Sequence, residues 1–137
     1  VNEMNWKNYL NGLNYNKISI ADPFTAPYGK AAKEVFKNVD LWEKLKKRIV
    51  YGYSVGQVYH YIQSKNVELG FVAMSQVLEK NNANYIIIPV NLYEPISQSV
   101  VILQRSGANA DVNKFFSFFH SESINELITS SGYKKDC

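Results

Sequence analysis

The stretch Ile18-Ser19-Ile20-Ala21-Asp22-Pro23-Phe24-Thr25-Ala26-Pro27-Tyr28-Gly29-Lys30-Ala31-Ala32 decides the fold. Lys17 to Ala21 reads as a strand, and the breakers between Asp22 and Gly29 make a loop that ends it. Pro27 suits the first position of a helix, where its fixed φ is already helical and its missing N–H is not needed. That helix is expected to run to about Asn38, with Ala31, Ala32, Val35 and Phe36 on its buried face.

The same alternation continues along the chain. Asp40 and Glu43 have capping-box spacing and are expected to open a short helix through Leu41, Trp42 and Leu45, before a strand at Ile49 to Tyr51. Ser54 and Gln57 form a second such box, and Val55, Val58, Tyr59 and Ile62 follow at helical spacing. Leu69 to Ala73 reads as a strand, Ser75 starts a helical turn through Leu78, and Tyr85 to Val90 is apolar enough for a strand buried on both faces. Upstream, Trp6, Tyr9, Leu10 and Leu13 mark a short helix that Asn14 and Asn16 turn out of. Downstream of Pro89 and Pro95, Ser99 to Leu103 reads as a strand. Asp111 is expected to cap a helix carrying Val112, Phe115, Phe116 and Phe119, and Ser121 or Ser123 to open a last helix with Ile124, Leu127 and Ile128, ended by Gly132. Strands alternating with helices predict an α/β fold with a mostly parallel sheet flanked by helices.

Composition bounds the function. The 137 residues are 46% hydrophobic and 20% charged, which is a globular balance, and a chain near this length buries roughly 70% of its unfolded surface. The net charge of +3 comes from scattered lysines. Their densest run, Lys44, Lys46, Lys47 and Arg48, reads as a solvated helix end, so nucleic acid is not an expected partner. The single cysteine, Cys137, has no second thiol to pair with. No apolar run approaches the roughly 20 residues of a membrane helix. The opening Val1-Asn2-Glu3-Met4-Asn5 has neither the basic nor the apolar part of a signal peptide, so the expectation is a cytosolic protein or a chain whose natural start lies upstream.

Catalytic and metal chemistry find little to rest on. His60 and His120 stand far apart among helical aromatics, neither with a second ligand at i+3 or i+4, so no metal site is expected. The serines lack a nucleophile elbow, and no glycine-rich phosphate loop or carboxylate pair stands out. The phenylalanines from 115 to 119 are spaced for core packing. Two helix starts remain, at Pro27-Tyr28-Gly29 and at Ser54-Val55-Gly56, each following a strand. In a parallel sheet both face the edge where ligands bind. Their first N–H groups have no internal acceptor and the helix dipole adds positive potential, which suits an anion without lysine or arginine. Every doubly wound sheet gathers helix starts at that edge, so this pattern alone also fits two ordinary capped helices.

At these segments the sequence resembles the periplasmic molybdate-binding proteins of ABC importers. The likeness is carried by Ile18 to Ala32, by Leu41-Trp42 ahead of Arg48-Ile49-Val50-Tyr51-Gly52, by Ser54-Val55 and by Glu68-Leu69-Gly70-Phe71-Val72-Ala73-Met74-Ser75-Gln76. Pro95-Ile96, Val100 to Leu103, the phenylalanine-rich helix, Ser121 and Ser131-Gly132-Tyr133 extend it over nearly the whole chain. The resemblance implies a periplasmic-binding-protein-like fold in which two α/β lobes close over an oxyanion, held largely by neutral donors. It implies that the backbone N–H groups of Tyr28 and Val55 bind molybdate or tungstate, supported by Ala26, Pro27, Gly29, Ser54 and Ala73. It further implies a permease partner, no cofactor, no enzymatic activity and a periplasmic or extracellular place, free or held by a lipid anchor.

Two departures bear on that expectation. Some members place a tyrosine just after the Leu-Gly strand, where this chain has Ala73, so that donor is absent. The family's first lobe lies upstream of the residues present. Residues 1–16 are therefore expected to be an inter-lobe segment, 17–93 the second ligand-binding lobe, and 94–137 a return segment whose strand and helices complete the other lobe. Alone, that segment is expected to expose phenylalanines and to self-associate or swap domains. The competing expectations are a ligand-sensing domain of a transcription regulator with the same fold, and a receptor for another anion such as sulfate or phosphate.

Overall fold

The structure, a computed structural model, describes residues 6–12, 15–78 and 84–134. The chain divides into two compact units, Val1–Ile96 and Ser97–Cys137. In the first, strand β1 (Ile18–Ala21) lies between β2 (Ile49–Gly52) and β3 (Leu69–Gly70), parallel to both. Ile18 pairs with Ile49 on one side and Leu69 on the other. Every residue of β1 is buried, and the hydroxyl of Ser19 within it donates to Val50 O at 2.8 Å, so the buried polar group is satisfied and ties β1 to β2. The expected strand Leu69 to Ala73 stops at Gly70, though Phe71 N–H still donates to Ser19 O at 3.0 Å.

Helices return between the strands. Helix α1 (Trp6–Asn11) precedes β1, α2 (Pro27–Asn38) and the short α3 (Trp42–Leu45) join β1 to β2, α4 (Val55–Gln63) joins β2 to β3, and α5 (Met74–Leu78) follows β3. Leu13 and Asn14 lie outside the described residues. The core gathers Trp6, Leu10, Ile18, Ile20, Val35, Phe36 and Leu45, and the Phe36 ring meets Phe71 edge-on at 4.9 Å between centroids. Where β1 and β3 begin, Glu68 Oε2 accepts the Lys17 N–H at 3.0 Å, which holds that carboxyl below the usual carboxylate range.

Several local expectations are corrected. Asp40 does not cap α3. It sits at φ 58°, its N–H bonds to Lys37 O, and Leu41 N–H bonds to Phe36 O at 2.8 Å, so Asp40 closes α2 in a Schellman motif, while α3 begins at Trp42 after Leu41, which gives no side-chain cap. Residues 84–89 form no strand. Ile86 and Ile88 pack on the core while Tyr85 and Ile87 are exposed, and Pro89 has no N–H to give a ladder. The apolar run covers one face, not two. Residues 90–94 are fastened to α2 instead, through Asn38 Nδ2 on Leu92 O, Glu94 N–H on Glu34 and Lys30 on Glu94.

In the second unit the expected strand at Ser99 to Leu103 is irregular, with Val101 74% exposed and no paired strand among the described residues. Helix α6 (Ala110–Phe119) is capped by Asn109, whose Oδ1 accepts the N–H groups of Asp111 and Val112; Asp111 is a first-turn residue. Helix α7 (Glu122–Ser130) starts after Ser121 and ends in a Schellman motif at Gly132, φ 85°. Neither helix buries a residue, and Phe115 and Phe118 are exposed, as expected of this segment alone, so their core spacing meets no core among the described residues. Among the described residues no helix is long and apolar enough to cross a membrane.

Helix α4 also ends left-handed, on Lys65 at φ 57°, with Asn66 N–H on Tyr61 O. A side chain there costs about 1 kcal/mol relative to glycine, part of it returned by the freer unfolded chain. Lys65→Gly is expected to stabilise the protein by about 0.5 kcal/mol, read as a raised midpoint in urea unfolding, whereas Lys65→Val lowers it.

Candidate oxyanion site

The parallel register sets the last residues of β1 and β2, Ala21 and Gly52, side by side. One further bond, Asp22 N–H to Gly52 O at 2.8 Å, carries the pairing past the strand ends. The chain then turns sharply. Asp22 Oδ1 accepts Phe24 N–H at 2.8 Å, and Asp22 O accepts the N–H groups of Thr25 and Ala26, a turn built by the aspartate on its own backbone. Ala26 is the extended residue before α2 and gives no side-chain cap; Pro27 is the first helical residue, as the sequence predicts.

Gly29 is where the helix touches the strand. A Cβ at this position would lie 2.2 Å from Ala21 O and 2.6 Å from the carbonyl carbons of Ala21 and Asp22. Those are backbone atoms that cannot swing aside, so the start of α2 lies directly on the end of β1 only because residue 29 has no side chain. The N–H groups of Gly29 and Lys30 both turn back to Ala26 O, at 2.9 and 3.1 Å. Tyr28, half-buried, is the second residue of this helix.

Helix α4 starts one strand over. Ser54 is extended (φ −147°, ψ 164°) and its Oγ accepts Gln57 N–H at 3.2 Å, while Gln57 Oε1 accepts Tyr53 N–H at 2.7 Å. The reciprocal box expected from Ser54 and Gln57 therefore forms, displaced by one residue on its return bond. As the first two helical residues, Val55 and Gly56 have no acceptor for their N–H groups within α4. The first turns of α2 and α4 contain no acidic residue, so nothing in them opposes an anion.

Ala73, just before α5, is 4% exposed, and its N–H is taken by Gln76 Oε1 at 2.9 Å. The other end of that amide reaches Val55 O at 3.4 Å. Ala73 and Val55, far apart in sequence, are thus joined through Gln76, while Ala26, Pro27, Tyr28 and Gly29 stand with Ser54 on adjacent strand-to-helix connections. Sequence reasoning did not single out Gln76, although its place three residues after Ala73 is the capping-box spacing with an alanine at the cap. His120, in the second unit, holds Phe116 O at 2.8 Å with Nδ1; among the described residues no group of His, Cys, Asp or Glu is placed to hold a metal.

A parallel sheet with helices returning between its strands gives the class, an α/β fold of the periplasmic-binding-protein kind, which the solved structures it superposes on share. Residues 2–134 match the family described as bacterial extracellular solute-binding protein, and the chain belongs to that family. It is 36% identical over 116 residues to the molybdate-binding protein of Rhodobacter capsulatus, covering 85% of this chain and 46% of that protein. It is likewise 36% identical over 122 residues to that of Azotobacter vinelandii, covering 87% and 48%. The solved structure of the Azotobacter vinelandii periplasmic molybdate-binding protein superposes with a TM-score of 0.83 at 32% identity, over 93% of this chain and 58% of that one. The chain thus spans about half the length of the curated relatives it matches.

The contact at Gly29 makes a direct test. Gly29→Ala forces α2 away from β1 and is expected to cost about 2 kcal/mol or more, read as a lowered unfolding midpoint. Gly56→Ala meets only Ser54 Oγ at 3.6 Å and is expected to leave stability within about 1 kcal/mol.

Proposed function

We propose that this chain supplies one lobe of an extracytoplasmic receptor for molybdate or tungstate, delivering the oxyanion to the permease of an ABC importer. One observation carries the reading. Two adjacent parallel strands end at helix starts free of acidic residues, in a chain more than a third identical to molybdate-binding proteins. Residues 17–93 form the binding lobe. Residues 1–16 and 94–137 link it to, and complete, a second lobe. The N–H groups of Tyr28 and Val55 donate to the oxyanion, with Ala26, Pro27, Gly29, Ser54 and Ala73 shaping the edge around them.

The physical case rests on charge-assisted bonds. An N–H donated to an anion is roughly twice as strong as one donated to a neutral acceptor, so a few preorganised donors suffice. Donors fixed at helix starts select by size, favouring molybdate and tungstate over the smaller sulfate. The activity is binding without chemical conversion, at a periplasmic or extracellular location.

Calorimetric titration of the whole protein that contains this chain, against molybdate, tungstate, sulfate and phosphate, tests the reading. Tight binding of the first two with weak sulfate binding is expected; no heat from any of the four rejects it. Val55→Pro then probes the donor. Ser54 already has the extended backbone that a following proline requires, so the substitution removes one N–H at little cost to the fold. Affinity is expected to fall about tenfold, or some 1.4 kcal/mol, with Val55→Ala as the control that keeps the N–H. Unchanged affinity in folded Val55→Pro removes Val55 from the site.

The exposed Phe115 and Phe118 support a self-associating or domain-swapped state for residues 1–137 by themselves. Sedimentation at high concentration is expected to show dimers or larger species; a clean monomer counts against it.

A further inference from the structure

We infer that Gln76 is a positioning residue for the oxyanion site, holding the first peptide group of α4 at the angle its N–H donors need. The inference rests on the oxyanion reading of this edge and extends it to a side chain that does not touch the ligand. Gln76 lies on α5, and its amide spans two elements: Oε1 accepts Ala73 N–H at 2.9 Å and Nε2 lies 3.4 Å from Val55 O. The partners fix which end of the amide is which, since the Ala73 N–H requires an oxygen and the Val55 carbonyl requires a donor.

Val55 O belongs to the same planar peptide unit as Gly56 N–H, and the two point in opposite directions. A donor drawing on that carbonyl therefore sets the direction of the Gly56 N–H at the other end, together with the tilt of the Val55 backbone before it. It also polarises the peptide, strengthening its N–H by roughly a tenth to a third, as in cooperative chains of hydrogen bonds. Ser54 and Gln57 shape the same helix start, but from within its own segment. The Gln76 side chain ties this peptide to another element, anchoring the α4 start to the segment between β3 and α5.

Gln76→Leu removes both hydrogen bonds at similar size, and Gln76→Glu keeps an acceptor for Ala73 while replacing the donor to Val55 O with a negative charge. In the whole protein, titrated with molybdate, Gln76→Leu is expected to weaken binding about fivefold or more and Gln76→Glu further. In the ligand-free protein the Gly56 amide resonance is expected to shift in both variants, a change that lost packing elsewhere does not produce. Adding Gln76→Leu to Val55→Pro is expected to cost less than it does alone, because part of what Gln76 orients is the Val55 N–H that proline has already removed. Should Gln76→Leu not fold, Gln76→Met serves with the same expectations. Wild-type affinity and an unmoved Gly56 resonance in the folded variant, beside a wild type that binds and a Val55→Pro that does not bind well, overturn the role of Gln76 alone. A wild type that binds no molybdate overturns the oxyanion reading and this inference with it.

Discussion

Strand β1 is hydrogen-bonded on both sides, and the edge where α2 and α4 start takes its position from that fact. A central parallel strand must send its chain out at one end and receive it back at the other, so helix starts collect at a single edge. The pairing of Ala21 with Gly52 brings the connections leading to α2 and α4 next to each other. The buried Ser19 hydroxyl on Val50 O resists slippage of that pairing, since a shift of register would strand a polar group in the core. The edge is therefore as rigid as the core that supports it.

What such an edge offers is directed partial charge. Each helix start presents a few N–H groups and about half a positive charge, aimed along the axis and fixed by the backbone. A lysine would bring a full charge but a flexible stem that accepts any anion. Nearby Lys30 is engaged on the outer face of α2 by Glu94 and Glu34, a pairing that raises its pKa through the Glu94 hydrogen bond first. The positive potential at this edge is thus that of the backbone at the helix starts.

Much of this was legible where a signal is local. Pro27 marks the start of α2 because its φ and missing N–H fit one helical position, and Ser54 with Gln57 marks α4 because the bonds they make span only three and four residues. Asp40 misleads because an aspartate serves both as a cap for the next helix and as a left-handed end for the last, and only the burial of Leu41 against Phe36 decides for the second. Tyr85 to Val90 misleads because an apolar run cannot tell one covered face from two. The bond from Gln76 to Val55 crosses 21 residues and leaves no pattern in the sequence. For the site itself, the residues alone gave an edge suited to anions, and the oxyanion came from resemblance.

Both helix starts are held close to the strands they follow. Helix α2 is placed by contact, its Gly29 resting on the carbonyl of Ala21 with no room for a methyl group, so its position is limited by repulsion that rises steeply over tenths of an ångström. Helix α4 is placed by contact as well, since a Cβ on Gly52 would lie 3.1 Å from the buried Val58 side chain and 3.3 Å from Ser54 O, and hydrogen bonds made by Ser54, Gln57 and Gln76 add to it at the helix start. None of the three side chains bonded at the start of α4 is of an ionisable type, so those hydrogen bonds carry no titration of their own.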